Sequence, residues 1–252
     1  MKNNIAKFIL SLCISCILCL MFSCKHAPKQ NQSVNELSDM RCIVERQIQN
    51  QSRQIADQVA SFSRGVAADR DFSMKLLVEN NRSAPEVTDF AQRYMEPMGL
   101  SFLEITDSLH ILLSCAQFPA SAGTSIADKA ALLGDQASFI MDNVKGKKTL
   151  TLQAQLRFKI LDSVLYCSGG KNVDEDFIAG LAVANGFKIL LKQGQNIIGA
   201  DPGAAVSSNT DSSITVSDTT YAAMSIPLPF AGQGDRPMLI LVNEKAISKK
   251  SK

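Results

Sequence analysis

The chain has no tryptophan, three tyrosines and two histidines, and almost no charge bias: 26 Lys and Arg face 24 Asp and Glu, a formal net charge of +2. Each shortage excludes something. Few rings and no basic surplus argue against a nucleic-acid surface, which needs stacking platforms and a positive groove. Two histidines, one of them His26 near the N-terminus, supply no metal cluster and no Ser/His/Asp set, so the sequence points to no catalytic residue, no metal and no cofactor. Gly169-Gly170-Lys171 lacks the upstream glycine of a phosphate loop, and no helix follows it at once. Asp174, Glu175 and Asp176 suit the positive end of a helix better than acid–base chemistry. The reading is not an enzyme. With 46% hydrophobic and 20% charged residues, 252 residues suffice for one large or two small packed domains.

Charge is absent from Phe8 to Phe22, which follows a short segment carrying Lys2 and Lys7. This is the layout of a secretory signal, and the run is short for a membrane-spanning helix, which needs about 20 apolar residues. Leu20-Met21-Phe22-Ser23-Cys24 resembles a bacterial lipoprotein signal, which implies lipidation of Cys24; an uncleaved apolar anchor is the alternative. Either places the rest of the chain outside the cytoplasm. Cys13, Cys16 and Cys19 lie inside the apolar run and are read as part of it rather than as a metal site. Cys115 and Cys167 sit at the ends of expected strands. They either pair or are two unpaired, buried small hydrophobes, and the second is expected.

Beyond a polar tether, apolar residues recur at helical steps from Asn35: Leu37, Met40, Val44, Ile48, Ile55, Val59, Phe62 and Val66. The helix is expected to run about 45 Å. Its stripe packs on its own domain or pairs with a second copy. Asp71 to Glu79 continues helically, and a short helix around Val87 to Tyr94 ends at Pro97 and Gly99. Strands are expected over Leu100–Thr106 and His110–Ala116, and a helix over Ala127–Val144.

Thr149 to Leu191 is the most ordered passage. Leu150, Leu152, Ala154, Leu156 and Phe158 alternate with Thr149, Thr151, Gln153, Gln155 and Arg157, the period of a sheet covered on one face. The polar face is expected to meet solvent or packing partners. A second strand is expected to end at Gly169-Gly170, a helix to run from Asp174 toward Gly186, and a buried strand to cover Phe187–Leu191. Ala200–Ser213 reads as a flexible loop, and Thr219–Phe230 with Met238–Val242 as a closing hairpin.

The order of these elements, with GLSFLEITDSLHILLS after a long helix and YCSGGKNVDEDFIAGLAVANGFKILL further on, resembles the extracytoplasmic Cache sensors of bacterial histidine kinases and chemoreceptors, the second passage being similar to NtrY-like kinases. The resemblance implies an α+β fold: a long N-terminal helix, then PAS-like antiparallel sheets in one or two modules. The boundaries it implies are a signal over 1–23, a tether over 24–34, a helical region over 35–84, a membrane-distal module over 85–170, a membrane-proximal module over 171–244 and a basic tail over 245–252. It further implies a membrane-anchored sensory module that binds a small molecule and signals through the long helix to a partner or a homodimer, with no nucleic acid involved. The alternatives are a structural or interaction lipoprotein without a ligand, or the front of a longer sensor kinase. His110 stands where such domains carry a turn glycine, and the aromatic and charged constellation of amino-acid-binding members is not present, so no particular ligand follows.

Four residues are candidates for ligand contact. Asp107 at the hairpin turn either meets a ligand or caps its own backbone, the commoner role of a turn aspartate. Arg157 either clamps a carboxylate or phosphate or faces solvent or the long helix. Tyr166 and Tyr221 either present a hydroxyl to a cavity or fill the core.

Overall fold

The computed structural model describes residues 29–144, 146–199, 206–210 and 212–249, with side chains within 35–245. The signal, Cys24 and the start of the tether lie outside the described residues. Helix α1 (Lys29–Ala68) spans 40 residues, about 60 Å at 1.5 Å per residue. It begins inside the stretch read as a tether and is longer than expected. Every residue of the apolar stripe is buried, from Val44 and Val66 at 0% exposure to Met40 at 8%. The stripe packs against the chain's own sheets. Two polar clamps fix its position lengthwise. The Gln47 amide donates to the Ala182 carbonyl at 2.9 Å and accepts from the Ala182 N–H at 2.8 Å, while Gln58 Nε2 donates to the Met98 carbonyl at 2.6 Å.

Short helices α2 (Arg70–Ser73), α3 (Pro85–Thr88) and α4 (Phe90–Met95), with a π turn over Met74–Val78, cap the far end of α1. Asp69 caps α2 by accepting from the Phe72 N–H at 2.8 Å. Phe72, Phe90 and Phe62 stack edge to edge there, with ring centroids 5.0 and 5.9 Å apart.

The first sheet is antiparallel, in the order β2-β1-β5-β4-β3. Its strands are β1 (Phe102–Asp107), β2 (Leu112–Cys115), β3 (Ser138–Val144), β4 (Lys147–Ile160) and β5 (Ser163–Asn172). The alternation in β4 is realised: Leu150, Leu152 and Ala154 face α1, together with Leu103, Ile105 and Leu165. Two readings are corrected. Only α5 (Ala127–Ala130) of the expected Ala127–Val144 helix is helical. Ser138–Val144 is drawn into the sheet because it pairs in register with β4, and its outer edge is paired as well: Phe139 N–H donates to the Pro229 carbonyl at 3.1 Å, and the Phe139 carbonyl accepts from Ala231 at 2.9 Å. A short apolar run does not by itself separate helix from strand. Nor does the glycine pair end β5, which continues to Asn172.

Gly169 and Gly170 are required by closeness instead. A Cβ on Gly170 would lie 2.1 Å from the Leu152 carbonyl oxygen and 2.5 Å from the Phe102 ring, and one on Gly169 would lie 3.1 Å from Val59 of α1.

After β5, Asp174 caps α6 (Glu175–Ala179) by accepting from the Phe177 N–H at 3.1 Å. The helix stops at Gly180, six residues before the expected end near Gly186. The second sheet has the order β7-β6-β11-β10-β9-β8, built from β6 (Phe187–Gln193), β7 (Asn196–Ile198), β8 (Val206–Thr210), β9 (Ser213–Val216), β10 (Thr219–Pro227) and β11 (Met238–Lys249). The expected closing hairpin is β10 with β11. Part of the stretch read as a loop forms the β8–β9 hairpin, while residues 200–205 and 211 lie outside the described residues. Ile189, Leu191, Ala222, Leu239 and Leu241 join the main core, and Leu190, Ile214, Ala223, Ile240 and Val242 form a small core on the other face. Cys115 and Cys167 are buried and free, Cys42 exposed and free. The fold class is α+β as expected.

Gly170→Ala is expected to lower unfolding stability by about 3 kcal/mol, because backbone rather than a flexible side-chain end stands in the way. Gly65→Ala, on the exposed side of α1 with nothing within 4 Å, is expected to raise it by about 0.5–1 kcal/mol. Urea denaturation of the two variants beside the parent protein checks both signs.

Candidate ligand-binding site

The face of the first sheet turned away from α1 is not open to solvent. The segment after β2 crosses it through a 3-10 turn (Pro119–Ser121) and α5, and Thr151, Gln153, Gln155, Glu104 and Ser168 are buried on this face. Between the sheet and the crossing segment lies a cavity of about 1130 Å³. Glu104 of β1, Cys115 of β2, Asp142 of β3 and Lys129 of α5 stand on its wall, with Gln117, Phe118 and Ile126 from the crossing segment. Ligand sites in proteins commonly run to about 300–1,000 Å³.

Lys129 ties the crossing segment to the sheet. Its Nζ lies 2.8 Å from Glu104 Oε2 and 2.8 Å from Asp142 Oδ2, and 5.4 Å from the Phe102 ring centroid. Side-chain exposures of 14% for Lys129, 4% for Glu104 and 15% for Asp142 place the group away from bulk water. Each carboxylate has further donors. Glu104 accepts from Gln117 Nε2 at 2.7 Å and Ser168 Oγ at 3.1 Å. Asp142 accepts from Gln153 Nε2 at 2.7 Å and from the Asn143 N–H at 2.7 Å. Burial by itself acts to lower the Lys129 pKa, but the charges of Glu104 and Asp142 outweigh it and the net shift is upward from 10.5. Burial likewise acts to raise the Asp142 pKa; the Lys129 charge and the donors on its oxygens outweigh it and hold the carboxyl below 3.8. The Cys115 thiol is pushed up, burial being the main cause, which keeps it protonated.

Several buried polar atoms near this group have no partner among the described residues: Gln153 Oε1, Gln155 Nε2 and Thr106 Oγ1. A buried polar atom without a partner costs about 1–3 kcal/mol. None of these three residues lines the cavity.

The four candidates from sequence are scattered rather than gathered at this cavity. Asp107 is engaged in its own turn: Oδ1 accepts from the Leu109 and Ile111 N–H groups at 2.9 and 3.0 Å, and Oδ2 from Arg82 at 2.7 Å. Burial acts to raise its pKa, but those donors outweigh it and the net shift is downward. His110 adopts the left-handed φ of 59° at the same turn and packs on Tyr166 with centroids 4.6 Å apart. Arg157 is exposed and lies opposite Tyr166 in the register of β4 with β5. Tyr221 lies in the second sheet against its small core. Glu104, Lys129 and Asp142 escaped the sequence reading. The available signal was Glu104, a lone acid inside the apolar run Phe102–Ile105; Lys129 and Asp142 sat in a stretch read as one helix.

No protein-family model and no curated protein sequence matches the chain. Solved structures do. The sensor domain of the histidine kinase DctB from V. cholerae is 10% identical, covers 88% of this chain and 97% of its own, and superposes with a TM-score of 0.50. The periplasmic domain of LuxQ from Vibrio cholerae is 10% identical over 83% of this chain and 97% of its own, with a TM-score of 0.51. The fold is that of the extracytoplasmic Cache sensors. A specific likeness to NtrY-like kinases does not follow from these structures. The first sheet, its crossing segment and the cavity between them precede the second sheet in the chain. Among the described residues no helix is long and apolar enough to cross a membrane.

Lys129→Met is expected to cost about 3–5 kcal/mol, because it strands two buried carboxylates beside each other. The pH dependence follows from the two shifts. Asp142 has a lowered pKa, so its contribution is present above 3.8 and is lost as pH falls through the lower folded value. Lys129 has a raised pKa, so its contribution is present below 10.5 and is lost as pH rises through the higher folded value. Asp142→Asn should therefore flatten the acid limb of a melting-temperature profile and leave the level between about pH 5 and 9 without slope.

Proposed function

We propose that the protein is a membrane-anchored, extracytoplasmic sensory module that binds a small molecule in the cavity of its first sheet and passes the change along α1 to a partner or a second copy. One observation carries this reading: a cavity of about 1130 Å³ between the polar face of the first sheet and the segment that crosses it, with the buried Glu104, Asp142 and Lys129 side chains on its wall, on a fold shared with sensor domains. A polar floor under an ordered cover is what a specific, reversible ligand site needs. The module boundaries are read as 85–170 for the ligand-binding part and 171–244 for the membrane-proximal part, with Cys24 as the lipidated anchor. A homodimer through α1 would use its outward face, since the apolar stripe is already covered.

The competing reading, an interaction lipoprotein without ligand, draws on Lys129. Its two ion pairs satisfy part of the cavity from within.

A thermal-shift screen of the full chain against amino acids, amines, organic acids and purines separates the two readings. Binding at 100 times Kd is expected to stabilise by about 2.7 kcal/mol. Ala127→Trp, an exposed change on the cavity rim, is expected to abolish that shift without lowering the melting temperature of the free protein. No shift with any compound favours the ligand-free reading. For the anchor, Cys24→Ala should release the protein from the membrane fraction; retention points to an uncleaved apolar segment.

A further inference from the structure

We infer that the cavity takes a small organic cation, one or two N–H donors on an apolar body. This rests on the reading of the cavity as the ligand site and narrows the ligand's chemistry. The described charged side chains on its wall are Glu104, Asp128, Asp142 and Lys129, three negative and one positive. The positive one is already committed, since Lys129 spans Glu104 and Asp142 at 2.8 Å each. An incoming carboxylate or phosphate would find no uncommitted cation among these groups and would add to a net negative wall.

Acceptor capacity, in contrast, is left over. A carboxylate offers about four lone-pair sites. Among the described residues, Glu104 Oε1 receives Gln117 and Asp142 Oδ1 receives the Asn143 N–H, one donor each. Asp128 on the rim is exposed. A second, independent feature agrees in sign. Phe118 lines the cavity yet is 58% exposed, and an aromatic ring beside an acidic cavity attracts an organic cation that reaches its face through its quadrupole. Rim acid, exposed ring and inner carboxylates thus form a path of one electrostatic sign.

The test uses the full chain, with putrescine, agmatine and benzylamine as cationic probes and succinate, citrate and inorganic phosphate as anionic ones, measured by calorimetric titration. At least one cation is expected to bind while the anions do not. Asp128→Asn, a surface change that leaves the buried pairs intact, should weaken that cation about threefold to fivefold, with the difference fading in high salt. Lys129→Gln keeps a hydrogen-bonding side chain but removes the positive charge, and should tighten the cation about tenfold. If Lys129→Gln proves unfolded by circular dichroism, Asp128→Asn decides alone. Binding of an anion that Lys129→Gln abolishes overturns the cation assignment while leaving the sensory reading in place, as does cation binding indifferent to Asp128→Asn. Absence of binding by every probe here and by every compound of the wider screen overturns both.

Discussion

Everything else in the molecule leans on the burial of one stripe of α1. Neither sheet is closed on itself, and each needs a cover for one apolar face; a single helix about 60 Å long supplies both. Leu37 to Ile48 and Ile55 to Val66 are two halves of the same stripe, and burying a side chain of this size contributes about 1.5–3 kcal/mol. Because the main core runs without a break from α1 into both sheets, loosening the helix anywhere would expose strands in both. The Gln47 and Gln58 clamps then do what apolar packing cannot, since hydrophobic contact is non-directional and a smooth stripe can slide. Hydrogen bonds to fixed carbonyls set the lengthwise position.

The stripe also explains why the opposite face of the first sheet is free to be polar. A sheet needs one covered apolar face to be stable, and α1 provides it, so β4 can carry Thr151, Gln153 and Gln155 on the other side. That face is then covered by a segment with little regular structure, held down by Lys129 and by backbone hydrogen bonds, among them Gln155 N–H to the Gly134 carbonyl and Leu112 N–H to the Thr124 carbonyl. Ionic attachment of this kind is directional and depends on both partners.

How much of this was legible depended on range. The stripe of α1, the alternation in β4 and the cap at Asp174 are local patterns with periods of 3.6 and 2 or a fixed offset, and they stood in the sequence as they stand in the structure. Ser138–Val144 was misread because its identity as a strand is settled by partners outside it, the adjacent strand β4 on one edge and the distant Pro229 to Ala231 on the other. Gly170 was misread for a similar reason: the Leu152 carbonyl and Phe102 ring that exclude a side chain there are brought in by pairing. The cavity group is the extreme case. Glu104, Lys129 and Asp142 lie on three different elements, and no spacing rule links them. Asp107 drew attention by its place at a turn, where it caps its own backbone, and Arg157 by its residue type on the polar face of β4.

Strand β5 joins the cavity to α1 through neighbouring residues. Ser168 points to the cavity side and donates to Glu104, while Gly169, the next residue, lies so close to Val59 of α1 that a methyl group would have to push it. Side chains alternate along a strand, so adjacent positions necessarily report to opposite faces. A displacement of β5 driven from the Glu104 side would meet α1 with no slack to absorb it, and α1 in turn is fixed lengthwise by Gln47 and Gln58. Contact of this kind supplies a route, not a switch, and signalling along it requires an element with two discrete arrangements that ligand and helix both bias. The crossing segment stands at the start of that route: Lys129 pairs with Glu104, and Glu104 is the residue that bonds Ser168.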